Sequence, residues 1–144
     1  LTDDLEEKVG LPVLHIVDVT GDVIRERGLH RIGLLGTRFV MTEPFYQERL
    51  RDRFAIEVFV PGEDDIGTIH QIIYNELCEG KIKASSRRVC TDIMRRLINE
   101  GAEGIVLGCT EFPMLIKPGD IHAPIFDTTR LHAEAAVNLA LAEG

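Results

Sequence analysis

The segment GIVLGCTEFPMLI, residues 104–116, carries a short apolar run closed by glycine, then a thiol, a hydroxyl and a carboxylate, then Phe-Pro. The run over 104–108 is too short for a helix and lacks polar alternation, which marks a strand buried on both faces, as in a parallel sheet. Runs of the same kind stand at PVLHIV (12–17), RIGLLG (31–36), IEVFV (56–60) and PIF (124–126). Longer segments with apolar residues at three-and-four spacing separate them. Such alternation predicts an α/β fold, a parallel sheet with helices on both faces.

Residues 18–27 read as a short amphipathic helix stopped by Gly28. Thr42, followed by Glu43 and Pro44, reads as an N-cap with proline in the first turn. Over 64–79, Ile66, Ile69, Ile72, Ile73, Tyr74 and Leu77 form an apolar row, with Gly80 as the C-cap. Ser85 or Ser86 opens a further helix that carries Val89, Ile93, Met94, Leu97 and Ile98 and ends at Gly101. We read these rows as core packing. The last segment, TTRLHAEAAVNLALAEG, is an Ala-rich helix with Thr128 or Thr129 available as cap. No repeat or linker divides the chain, so residues 1–144 form one domain.

At 144 residues and 44% hydrophobic, the chain is large enough to bury a core. Its formal charge of -8, with basic residues scattered, argues against a nucleic-acid or anionic-membrane surface. No apolar run approaches the roughly 20 residues of a membrane helix, and the acidic start LTDDLEEKVG is unlike a basic signal peptide. A cytoplasmic protein is the expectation. Cys78, Cys90 and Cys109 are odd in number and lack paired spacing, against both a disulfide framework and a zinc site.

Two strand ends share a chemistry. GLLGT closes on Gly36-Thr37 and IVLGCT on Gly108-Cys109-Thr110. Glycine lets the backbone approach a ligand, and a threonine hydroxyl beside unpaired N–H groups suits an anion such as a carboxylate. A thiol at a strand mouth beside a helix N-terminus is expected to have a lowered pKa, and Cys109 is thereby a candidate nucleophile or general base. Cys78 and Cys90, on helices, read as small buried hydrophobes. Glu111 orients the thiol, binds an ammonium group, or simply favours the positive end of the following helix. His30 and His70 read as surface residues, His122 as a loop residue, and His15 and His132 lack ligand spacing, so no metal role is expected. Lys81 and Lys83 lie in a loop between helices, where a mobile lysine can meet a substrate carboxylate.

RIGLLGTRFVMTEPFYQERL, GAEGIVLGCTEFPMLI and PIFDTTRLHAEAAVNLAL, together with LPVLHIVD, resemble the second half of the aspartate/glutamate racemase family, nearest its aspartate and broad-specificity amino-acid racemases. The resemblance runs in order through nearly the whole chain, and Gly-Cys-Thr-Glu after a strand is its most specific element. It implies two pseudo-symmetric α/β domains facing across a cleft, with no cofactor and no metal, and one acid/base residue from each domain. It makes Cys109 the second-domain catalytic thiol, assigns Thr110 and Glu111 to the substrate pocket, and puts Thr37 at the carboxylate-binding position. A lysine near the segment ending in Lys83 is implicated in some members. Glu111 stands where glutamate racemases have histidine, and Val40 replaces a common threonine.

The family's first domain, with its Asn-Thr motif, would end just before LTDDLEEKVG, so the resemblance implies a truncated member. Residues 1–127 are then the second-domain core with its opening helix, and 128–144 a terminal helix that packs on the missing domain or on another copy, giving a homo-oligomer. The expected function is cofactor-independent racemisation of aspartate or a similar amino acid, with the chain inactive alone. A non-catalytic remnant that binds a small carboxylate, and a single-thiol enzyme similar to malonate decarboxylases, are the alternatives.

Overall fold

The apolar runs at 31–36, 56–60, 104–108 and 124–126 become four parallel strands in the computed structural model, which describes residues 15–143. They are β1 (Arg31–Leu35), β2 (Glu57–Phe59), β3 (Ile105–Leu107) and β4 (Ile125–Asp127), in the order β2-β1-β3-β4. Leu35 lies opposite Leu107, and Leu107 opposite Asp127. The chain steps from β1 to β2 on one side and returns to β3 on the other. The boundary between β1 and β3 is therefore the switch point of the sheet, where open α/β folds place ligands.

The helices are α1 (Ile16–Glu26), α2 (Arg38–Thr42), α3 (Pro44–Phe54), α4 (Glu63–Asn75), α5 (Ala84–Glu100), α6 (Phe112–Leu115) and α7 (Thr128–Glu143), with a 3₁₀ turn at Leu77–Glu79. Val17, Ile24 and Leu50 of α1 and α3 pack with Ile32, Leu34, Val106 and Phe126 on one face of the sheet. On the other, Ile66, Ile69, Ile73, Ile93, Met94 and Leu97 of α4 and α5 pack with Leu35, Ile105 and Leu107. Alternate strand residues thus feed opposite cores, as two-sided burial requires. Among the described residues, no helix is long and apolar enough to cross a membrane.

The structure corrects several boundaries. Of the strand expected at 12–17, residues 12–14 lie outside the described residues, and 15–17 open a helix instead. His15 is its N-cap, accepting the Val17 amide on Nδ1 at 3.1 Å, and Val17, Thr20, Gly21 and Ile24 then fall on one buried helical row. Thr42 is not a cap: it closes α2, its hydroxyl donating to the Arg38 carbonyl at 2.7 Å, and Glu43 precedes Pro44 without a side-chain cap bond. Lys83, rather than Ser85 or Ser86, is the N-cap of α5, and Ser86 donates to the Glu76 carboxylate. Gly101 does end α5 at positive φ, 127°, whereas α4 stops at Asn75 and Gly80, at 77°, closes the separate 3₁₀ turn. Tyr74 and Val89 leave the core rows, at 52% and 40% exposed, because each falls on the solvent side of its helix. Cys78 is exposed on the 3₁₀ turn rather than buried.

The α1/α3 contact is close because residue 21 has no side chain. A Cβ built there would lie 2.5 to 2.7 Å from the Phe54 ring. Gly21→Ala is expected to lower stability by about 1–3 kcal/mol through this overlap, more than the roughly 1 kcal/mol that alanine gains in helix propensity. A lower midpoint in urea unfolding checks it.

Arg49 of α3 grips Asp18 of α1 with two bonds, at 2.6 and 2.7 Å, both side chains being mostly shielded. The Arg49 hydrogen bond, opposed by burial, holds the Asp18 carboxyl below the ordinary carboxylate range. A depressed folded-state pKa gives stability that is whole above the unfolded value near 4 and is lost as pH falls through the folded value. Asp18→Asn is therefore expected to cost roughly 1–3 kcal/mol at pH 7, a gap that narrows below pH 4 when urea midpoints are followed against pH.

Candidate active site

Both candidate strand ends meet at the switch point. The Gly108 amide donates to the Leu35 carbonyl at 2.8 Å, extending the β1–β3 ladder by one step past Leu107. Val40, on α2, lies over both glycines: a Cβ on Gly36 would stand 3.1 Å from its Cβ and Cγ1, and one on Gly108 would stand 3.0 Å from Cγ1. The absence of side chains at 36 and 108 lets the two loops leave the sheet side by side under one valine.

Thr37 is the N-cap of α2, its Oγ1 accepting the Val40 amide at 3.4 Å. Its hydroxyl hydrogen remains as a donor. The Arg38 amide is taken by Nδ1 of His70, reaching across from α4 at 3.0 Å. His70 is thus half-buried and bonded to the Thr37 loop, where the sequence reading placed it at the surface; no local pattern announces a partner 32 residues away.

On the β3 side, Cys109 is 8% exposed. Its Sγ donates to Oε2 of Glu111 at 3.1 Å, and the Thr110 hydroxyl donates to the same oxygen at 2.7 Å. These two bonds, Thr110's first, hold the Glu111 carboxyl below its ordinary value. The thiol moves the other way. Burial, followed by the bond to the Glu111 carboxylate, pushes Cys109 up to about 11. This reverses the expected lowering: α6 is a single turn, and the backbone bonds from Glu111 and Phe112 are outweighed by desolvation and a facing negative charge. Cys109 rests as a protonated thiol that holds its hydrogen against a carboxylate. The arrangement suits a proton donor at the mouth of the sheet.

The remaining candidates lie elsewhere. Cys90 is fully buried in α5, and burial pushes its thiol up to about 12, as a packing residue requires. Lys81 pairs with Glu79 at 2.9 Å, and Lys83 is exposed at the start of α5. His15 caps α1. A groove of about 310 Å³ opens beside β4, between α1, α6 and α7, floored by Leu107, Ile116, Phe126 and Leu131; its lining does not include Cys109.

A family model described as Asp/Glu/Hydantoin racemase matches residues 1–136. A solved Yersinia pestis protein assigned to the Asp/Glu racemases is 44% identical, with a TM-score of 0.91, over 96% of this chain and 60% of its own. An aspartate racemase homologue from Pyrococcus horikoshii is 34% identical, with a TM-score of 0.89, over the same shares of 96% and 60%. A glutamate racemase of Klebsiella pneumoniae is 32% identical over 77% of this chain and 38% of its own length. The chain therefore spans well under two thirds of these relatives.

Proposed function

Because the chain belongs to the Asp/Glu/hydantoin racemase family, we propose that it supplies one catalytic thiol, Cys109, to the cofactor-independent racemisation of aspartate or a similar acidic amino acid. The observation that carries this reading is the Cys109 thiol hydrogen-bonded to Glu111 and set beside the Thr37 loop at the switch point. Inversion at Cα needs a base on one face and an acid on the other. The base breaks the Cα–H bond, and the electron pair passes into the substrate carboxylate. Cys109 then gives its proton to the opposite face and is left as thiolate, while the base has gained a proton. The reverse direction exchanges the two roles. In this reading the Thr37 hydroxyl, which only accepts in capping α2, donates to the carboxylate as its charge grows, while the Thr110 hydroxyl stays on Glu111. Cys78, exposed on its turn, and Cys90, sealed in α5, are unsuited as the opposing group. The chain alone is then half of the pair.

The test is solvent isotope exchange. In D₂O, the protein at high concentration is expected to place deuterium at Cα of one aspartate enantiomer without forming the other, read by proton NMR and chiral chromatography. Absence of exchange from both enantiomers would remove the proposal. The protonated resting thiol also fits delivery of a proton to one face of a malonate-derived carbanion; Cys109-dependent release of carbon dioxide from a substituted malonate distinguishes that reaction.

A further inference from the structure

Asp127 and Thr128 stand at the point where β4 becomes α7, and the cap is neither Thr128 nor Thr129, the residues the sequence offered. Asp127, not a threonine, caps the helix, its Oδ1 accepting the Arg130 amide at 3.2 Å. That leaves the Thr128 hydroxyl for another use. Only 1% exposed, Thr128 turns back into the sheet and donates to the carbonyl of Leu107 at 3.1 Å. Leu107↔Asp127 is the last pairing of β3 with β4, so this bond is added where the ladder stops. A buried hydroxyl must find a partner, and here the first residue of α7 finds it at the end of β3.

We propose that Thr128 is a positioning residue for Cys109, its buried hydroxyl fixing the Leu107 carbonyl from which the Gly108-Cys109 loop departs. The thiol lies two residues beyond that carbonyl. Its shelter and its bond to Glu111 depend on where the loop leaves β3. The functional meaning rests on the reading of Cys109 as an acid/base residue, but the bond is tested on the thiol itself, without substrate.

The experiment is site-resolved alkylation of the full chain by iodoacetamide at pH 9, with mass spectrometry separating Cys109 from Cys90. Thr128→Val keeps the shape and removes the hydroxyl. Local release of the loop is expected to raise the Cys109 rate about threefold or more with the Cys90 rate unchanged, and Thr128→Ser to restore it. If Thr128→Val fails to fold, Thr128→Ala carries the same expectation. Equal rises at Cys90 and Cys109 mean global loosening and overturn the proposal, as does an unchanged Cys109 rate. A failure of isotope exchange with aspartate would count against the proposed function and leave this result standing.

Discussion

Cys109→Ala is expected to lower Cα deuterium exchange on aspartate by about 10²–10⁴-fold, the usual contribution of a positioned acid or base. The substitution removes a single buried sulfur at the edge of the core formed with Leu107 and Phe112, a one-atom cavity expected to cost about 1 kcal/mol. Unchanged circular dichroism and a thermal midpoint within a few degrees should accompany the loss. Cys109→Ser is the sharper control. An alcohol is a far weaker acid than a thiol, so the serine variant should sit near the alanine variant although it can still donate to Glu111. Exchange that survives either change would remove Cys109 from the chemistry.

The second large effect concerns the thiol's proton. Cys109 is held up to about 11 by burial and by the Glu111 carboxylate. Glu111→Gln keeps a hydrogen-bonding side chain and removes the charge, leaving burial in place. The Cys109 pKa is expected to fall by about one unit, since a facing anion disfavours the thiolate. Alkylation requires the thiolate, so at pH 8, well below the pKa, a roughly tenfold larger thiolate fraction, offset by its lower nucleophilicity, raises the rate about threefold. Cys78, exposed on its 3₁₀ turn, supplies the internal reference. A Cys109 profile that stays superimposed on the wild type across pH 7–10 would show that the carboxylate does not govern the thiol.

Continuous apolar runs bounded by glycine or charge survive as strands, buried on both faces in β1 and β3 and only partly buried in the edge strands β2 and β4. That made β1, β2, β3 and β4 legible. The run at 12–17 was not, since Ile16 and Val17 serve either period and the decision falls to His15, whose ring nitrogen caps α1. Cap assignments failed for a related reason. Thr37 caps and Thr42 does not, and Asp127 caps while Thr128 reaches for Leu107, because each hydroxyl answers to the backbone group that tertiary packing leaves nearest. Within the site, Cys109, Thr110, Glu111 and Thr37 were marked by residue type and strand-end position. The adjacency of their loops required strand order, and the direction of the thiol's pKa required burial, neither of which is written locally. His70 was invisible for the same reason: its partner, the Arg38 amide, belongs to another helix.

Val40 couples the two loops. Its side chain fills the space above both Gly36 and Gly108, so a Cβ at either position requires Val40 to give by a few tenths of an ångström, and one shortening at 40 relieves both contacts at once. Substitutions at 36 and 108 are therefore expected to be non-additive with a change at 40, and the strand ends that carry Thr37 and Cys109 respond to the same valine.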